Sequence, residues 1–137
     1  MSVPRALLLD STFLTAYERE LNPRLAQAIV VQAITSGRLL VIPAMSLLVA
    51  GTELGGHHPD LSWLLNDPAG PVEVLALSAT NALEIGAQAA HTDTPDLAGL
   101  EVTQIAVEAA ESPIAVMTYE PKRYAGLALN VMDMQPR

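Results

Sequence analysis

The sequence predicts an α/β protein of three layers, α/β/α, in which helices cover both faces of a central parallel sheet of four or five strands. Short apolar runs alternate with helix-length amphipathic segments along the 137 residues. The runs are unbroken, as in strands that are buried on both faces. Most runs are followed at once by Ser, Thr, Asp or Pro, which are residue types that begin helices. The length fits a single domain over residues 1–137.

Five segments are predicted to be strands because each is a short apolar run bounded by polar residues, glycine or proline. In chain order they are the run that ends at Leu9, then Leu39–Ile42, Val72–Leu77, Ile114–Thr118 and Leu127–Met132.

Helices are predicted between these strands from the spacing of apolar residues and from end signals. Ser11 or Thr12 begins the first helix, Gly37 ends the second, Ser78 caps the fifth, and Thr94 with Pro95 begins the longest. The predicted bounds are 11–20, 23–36, 44–54, 59–66, 79–90 and 95–111, followed by a short helical turn over 122–125.

Composition excludes several classes of function. Half of the residues are hydrophobic and 16% are charged, which is typical of an ordered protein. The absence of cysteine excludes disulfides, thiolate zinc sites and cysteine nucleophiles. A formal net charge of -8 argues against a broad basic surface for nucleic acid, but it is compatible with carboxylates gathered around a cation. Without a signal-peptide pattern or a membrane-length apolar segment, the cytoplasm is expected.

Acidic side chains follow two predicted strands near the point where each strand ends. Asp10 comes directly after the first apolar run, and Glu120 lies two residues after Thr118. The carboxyl ends of parallel strands share one edge, where open α/β proteins bind their ligands. Asp10 and Glu120 are therefore predicted to meet in a cleft. Two simpler roles stay open: Asp10 or Ser11 caps the following helix, and Glu120 is a turn residue.

Glu101 lies on the longest predicted helix, one turn after Leu97 and one turn before Ile105. These apolar neighbours would keep its carboxylate from being fully solvated. Carboxylates that converge repel one another unless a cation or a proton lies between them, and Mg²⁺ takes carboxylate oxygens. A metal site with Asp10 and Glu120 is one interpretation, and an exposed helix acid is the other.

Three further side chains are candidates for binding. Lys122 and Arg123 directly follow Glu120 and its proline, where they would either contact an RNA phosphate backbone or balance the nearby acids. Trp63 is predicted to be an anchor, either in the core or at an interface.

Three stretches have an order that carries a resemblance to a family. LLLDSTFLTAY places a strand before an acid, hydroxyls and a helix; LLVIPAMSLLVAGTEL places a strand before proline and a helix; LEVTQIAVEAAESPIAVMTYEP places an acid on a helix before a strand, Thr, Tyr, an acid and Pro. In this order they resemble the PIN domain, the family that includes the VapC-type toxins of bacterial toxin–antitoxin pairs. The resemblance covers about Arg5 to Val131.

The resemblance implies a metal-dependent ribonuclease that cleaves RNA phosphodiesters with Mg²⁺ or Mn²⁺. Asp10 matches the family's first acid, Glu101 lies near the third, and Glu120 stands where the family usually has Asp. These carboxylates would hold the metal and form the catalytic site, with Thr118 or Ser11 assisting.

The second family acid is a departure from the pattern. Its place falls on Val49, and Glu53 lies four residues later, about 6 Å further along the helix axis. Val49 suggests that a ligand is lost, and Glu53 is a candidate outer ligand.

Two functions follow as hypotheses. One is an active PIN-type ribonuclease, with RNA as substrate and an antitoxin protein as partner; the other is a catalytically impaired PIN-like domain that acts as a binding or regulatory module. A homodimer is expected in either case, because an apolar composition in a short chain leaves surface patches to cover. A phosphate-accepting receiver domain is a third alternative, for which Lys122 is poorly placed.

Overall fold

The computed structural model describes residues 6–22, 24–67, 70, 72–90, 96–110 and 113–135. Helices cover both faces of a five-stranded parallel sheet, which confirms the predicted three-layer α/β fold. No helix in these residues is long and apolar enough to cross a membrane. In chain order the elements are β1 (Ala6–Leu9), α1 (Ser11–Glu18), α2 (Leu25–Ser36), β2 (Leu39–Pro43), α3 (Ala44–Glu53), α4 (Pro59–Asn66), β3 (Val72–Leu75), α5 (Ala79–Ala89), α6 (Leu97–Ala109), β4 (Ile114–Thr118), a 3₁₀ turn (Pro121–Tyr124) and β5 (Asn130–Asp133).

The strand order β3-β2-β1-β4-β5 places a topological switch point beside β1. The chain moves from β1 outward to β2 and β3, and then returns to the other side of β1 with β4. Leu9 of β1 is in register with Met117 of β4, and the Asp10 amide donates to the Met117 carbonyl at 3.4 Å. In sheets of this kind the crevice beyond such a point is the usual place of a site.

The core has two parts, one on each face of the sheet, because successive strand residues point to opposite faces. Leu7 and Leu9 pack with residues of α1, α2 and α4 on one face. Leu8 packs with Ile105 of α6 and with Tyr124 of the 3₁₀ turn on the other face. The carboxyl ends of β1 and β4 and the 3₁₀ turn are therefore held in place by apolar contacts.

Some element ends agree with those predicted and others differ. Ser11 begins α1, and of the caps predicted for this helix Asp10 is the one observed, since its carboxylate accepts from the Phe13 amide. Asp96 caps α6 by accepting from the Gly99 amide, and the predicted cap Thr94 with Pro95 lies outside the described residues. The predicted third strand continues to residue 77, but β3 ends at 75; the predicted last strand begins at 127, but β5 begins at 130. The predicted bounds of α4 and β4 are confirmed.

The N-terminus of α4 is capped by a carboxylate that belongs to α1. Glu18 accepts from the amides of Asp60 at 3.2 Å and Leu61 at 3.0 Å. These amides belong to the first turn of α4 and have no partner within the helix. A negative charge at that position also interacts favourably with the helix dipole. The side chain therefore fixes α4 against α1 across more than 40 residues of sequence.

The replacement Glu18→Gln is expected to reduce the free energy of unfolding by about 1 kcal/mol, because an amide oxygen caps less well than a carboxylate. Urea denaturation followed by circular dichroism measures the change. Glu84→Gln on the exposed surface of α5 is the control and should change stability by less than about 0.5 kcal/mol. Equal losses in the two variants would contradict the capping role of Glu18.

Candidate functional site

Asp10 lies at the switch point with its side chain fully buried. One carboxylate oxygen, Oδ1, accepts from the Thr12 hydroxyl at 2.6 Å and from the Phe13 amide at 3.0 Å. The other, Oδ2, accepts from the Tyr124 hydroxyl at 2.7 Å. Asp10 is therefore both a helix cap and a member of a buried polar cluster, so the two roles predicted as alternatives coexist.

Glu101 of α6 is also fully buried, and donors from within the chain surround its carboxylate. Oε1 accepts from the Ser11 hydroxyl at 2.7 Å and from the Arg123 guanidinium at 3.0 Å. Oε2 accepts from the Ser11 amide and the Ser46 hydroxyl, both at 2.7 Å. A carboxylate offers about four acceptor sites, so those of Glu101 are filled. The expectation that Glu101 is an exposed helix acid is wrong.

Arg123 is the cation that joins the acidic side chains at this edge. Its Nη1 lies 3.0 Å from Glu101 and 3.9 Å from Asp10, and its Nε lies 3.0 Å from Glu120. Only 17% of its side chain is exposed, compared with 59% for Glu120. The 3₁₀ turn after β4 directs the guanidinium inward, where it compensates the charge of two buried carboxylates. We call Asp10, Glu101, Glu120 and Arg123 the acidic centre.

Thr118 belongs to a directed chain of hydrogen bonds that ends on Asp10. Thr12 uses its single hydroxyl proton for Asp10, which as a carboxylate only accepts. In the 3.1 Å contact between Thr118 and Thr12, the Thr118 hydroxyl is therefore the donor. The Thr118 oxygen in turn accepts from the amide of Glu120, and the Thr12 oxygen accepts from that of Tyr119. This chain orients Thr118 within the framework of the site.

The titration of neighbouring groups reflects the burial of this cluster. Burial raises the pKa of the Tyr124 phenol, and so do the charge of Asp10 and the hydrogen bond to it. Burial lowers the pKa of Arg123, but Glu101, Asp10 and Glu120 together raise it by more. The phenol therefore stays protonated and the guanidinium stays charged at neutral pH.

The residues present do not fit a divalent metal ion. Such an ion needs carboxylate oxygens that are free to coordinate it. The oxygens of Glu101 are already occupied by protein donors, and the Arg123 guanidinium fills the space between Glu101 and Asp10. Val49, at the place of the second family acid, is buried and apolar. In the described ranges no group of three or more His, Asp or Glu residues is arranged to hold a metal ion.

Glu53 and Lys122 lie outside the acidic centre. Glu53 is exposed and lines a cavity of about 250 Å³, which also includes Arg19, Tyr119 and Glu120. The Arg19 guanidinium donates to the backbone carbonyl of Glu53 rather than to its carboxylate. Lys122 is exposed beside the inward-pointing Arg123, so neighbours in sequence have opposite surroundings.

Two members of the site were not identified from the sequence. Ser46 donates to Glu101, and Tyr124 donates to Asp10. Ser46 follows Pro43 by three residues in the first turn of α3, where a serine resembles an ordinary cap. Tyr124 lies in the turn after Glu120, and its aromatic character in a polar segment is the only sequence signal that could have indicated it.

Comparison with known proteins adds no family: no protein-family model matches the chain, and no curated protein matches it either.

Replacement of Arg123 by alanine is expected to reduce the free energy of unfolding by about 3–5 kcal/mol, since it leaves buried carboxylates without their counter-ion. Arg123→Lys should cost less, because an ammonium keeps the charge but lacks the planar fork. Urea denaturation measures both changes. Lys122→Ala, in the same turn and exposed, is the matched control. A loss below about 1 kcal/mol in Arg123→Ala would contradict the role as a buried counter-ion.

Replacement of Tyr124 by phenylalanine removes a donor to buried Asp10 and should cost about 1–3 kcal/mol at pH 7. Because the folded-state pKa of Tyr124 is raised above its ordinary value of 10.0, the unfolded chain releases this proton first as the pH rises. The wild type therefore loses stability above pH 10 through this group, and the variant does not. Urea denaturation at pH 7 and pH 10.5 should show that the difference between the two proteins narrows at the higher pH. A constant or widening difference would count against this assignment.

Proposed function

We propose that this chain is a PIN-like domain that acts as a binding or regulatory module and does not catalyse metal-dependent RNA cleavage. The observation that carries this proposal is the guanidinium of Arg123 between the buried carboxylates of Asp10 and Glu101. The likeness to the PIN domain rests on the order of its acids and strands. The parallel sheet supports that likeness, because it brings Asp10, Glu101 and Glu120 to one edge, where each contacts Arg123.

A guanidinium cannot replace a divalent ion in phosphodiester hydrolysis. A metal lowers the pKa of a bound water and offers open positions for the attacking and leaving oxygens. Arg123 neutralises charge and donates hydrogen bonds, but it supplies neither function. The same contacts that hold Asp10 and Glu101 in place therefore favour a structural role for the acidic centre.

A metal-dependent ribonuclease of the PIN or VapC toxin type is the second candidate. It is favoured by the convergence of Asp10, Glu101 and Glu120 around one point. For this activity Arg123 would have to leave the acidic centre and Glu101 would have to exchange its serine donors for Mg²⁺ or Mn²⁺. RNA would be the substrate and an antitoxin protein a partner. A homodimer is proposed for both candidates.

Titration of the wild-type protein with Mn²⁺ by calorimetry, together with incubation with structured RNAs in Mg²⁺ or Mn²⁺, distinguishes the two candidates. We expect no saturable Mn²⁺ binding at millimolar concentration and no cleavage, because the carboxylate oxygens are occupied. Asp10→Asn is the matched control for both measurements. Mn²⁺ binding and RNA cleavage that both disappear in Asp10→Asn would establish the nuclease and overturn the binding module. Cleavage that survives in Asp10→Asn would come from a contaminant or another site.

A further inference from the structure

Trp63 is the only tryptophan of the chain, and 67% of it is exposed. Its helix is not loosely attached, since Leu61 and Leu64 of the same helix are 4% and 2% exposed. Glu18 also caps the N-terminus of α4. The indole is therefore presented on the outer side of a rigid helix. Of the two roles predicted for Trp63, the core anchor is wrong.

An acidic residue lies beside Trp63 on the same side of α4. Asp60 is exposed and precedes Trp63 by three residues, a spacing that places side chains on one helix face. Burial raises the pKa of the nearby Tyr17 phenol, and the charges of Asp60 and Glu18 raise it further. We call Asp60 and Trp63 the α4 face.

The sequence around α4 contains no lysine or arginine. None lies between Arg38 and Lys122, although this stretch holds most of the chain's 15 acids. The α4 face lies in the first half of that stretch. The exposed indole is thus presented beside an acid in an acid-rich part of the chain.

We propose that the α4 face docks a basic, arginine-containing segment of a partner protein. An arginine can stack its guanidinium plane on the indole and pair with a flanking carboxylate at the same time. Tryptophan is also enriched among the residues that dominate binding energy at interfaces. The α4 face is separate from the acidic centre, and its occupancy does not depend on whether that centre holds a metal.

Charge argues against two other occupants. The phosphates of a nucleic acid would be repelled by Asp60 and by the net negative charge of the chain. In a symmetric contact with a second copy of this chain, the α4 face would meet itself and bring like charges together. A basic segment would be attracted by the same negative charges that repel these two occupants.

The fluorescence of Trp63 tests the proposal directly, because the emission of this chain's sole tryptophan reports on the α4 face alone. The full chain is titrated with a nine-residue peptide of alternating arginine and alanine, and with the same peptide carrying glutamate for arginine. We expect a saturable change in emission with the arginine peptide that weakens as salt is added, and no change with the glutamate peptide. An unchanged emission with the arginine peptide would overturn the proposal. A change that follows protein concentration without peptide would also overturn it, since a second copy would then cover the face.

Matched variants separate local recognition from general attraction to an acidic protein. By calorimetry, Trp63→Ala should weaken binding of the arginine peptide by about tenfold, and Asp60→Asn by about threefold to tenfold. Glu84→Gln removes the same charge from the exposed surface of α5 and should leave the affinity within about twofold. Circular dichroism verifies that each variant is folded. Equal effects of Asp60→Asn and Glu84→Gln would mean nonspecific attraction and would overturn the proposal.

Discussion

The contact of Arg123 with two fully buried carboxylates is the constraint on which the carboxyl edge of this sheet depends. Asp10 and Glu101 are both removed from water, and a buried charge without a counter-ion is strongly destabilising. One guanidinium reaches both, and it also reaches Glu120 at the surface. The β1–α1 junction, α6 and the 3₁₀ turn must therefore keep their relative positions for any one of these charges to be tolerated.

The same constraint explains why Asp10 and Glu101 do not line an open cleft at the switch point. Beyond β1 and β4 a parallel sheet ordinarily leaves a crevice, since the neighbouring connections diverge to opposite faces. Here Ser11 and Ser46 bind Glu101 from two other elements, and Arg123 closes the remaining side. The nearby cavity of about 250 Å³ includes exposed Glu53 and Glu120 but neither Asp10 nor Glu101. The buried pair is thus separated from the surface that a ligand could enter.

The fold could be predicted from sequence because its signals are local. Unbroken apolar runs and helix caps such as Ser78 need only a few neighbouring residues to be recognised. That Asp10 and Glu120 lie at the same edge of the sheet could also be predicted, because it depends on strand direction alone. The inward direction of Arg123 could not be predicted, since Lys122 beside it has the same charge and points to solvent. It depends on the phase of a 3₁₀ turn and on the position of Glu101, 22 residues away.

The charges buried in the acidic centre and those left on the surface together determine which partners this chain attracts. The acidic centre withdraws two carboxylates, Asp10 and Glu101, and one guanidinium, Arg123, from the surface, so most of the net charge of -8 is carried by the rest of the chain. Such a surface weakens association with polyanions at salt concentrations that do not fully screen its charges. It favours basic partners instead, and it favours them most where an apolar ring accompanies the acids. The buried guanidinium at the carboxyl edge and the exposed indole on α4 therefore both support the proposed function, which is contact with another protein rather than chemistry on RNA.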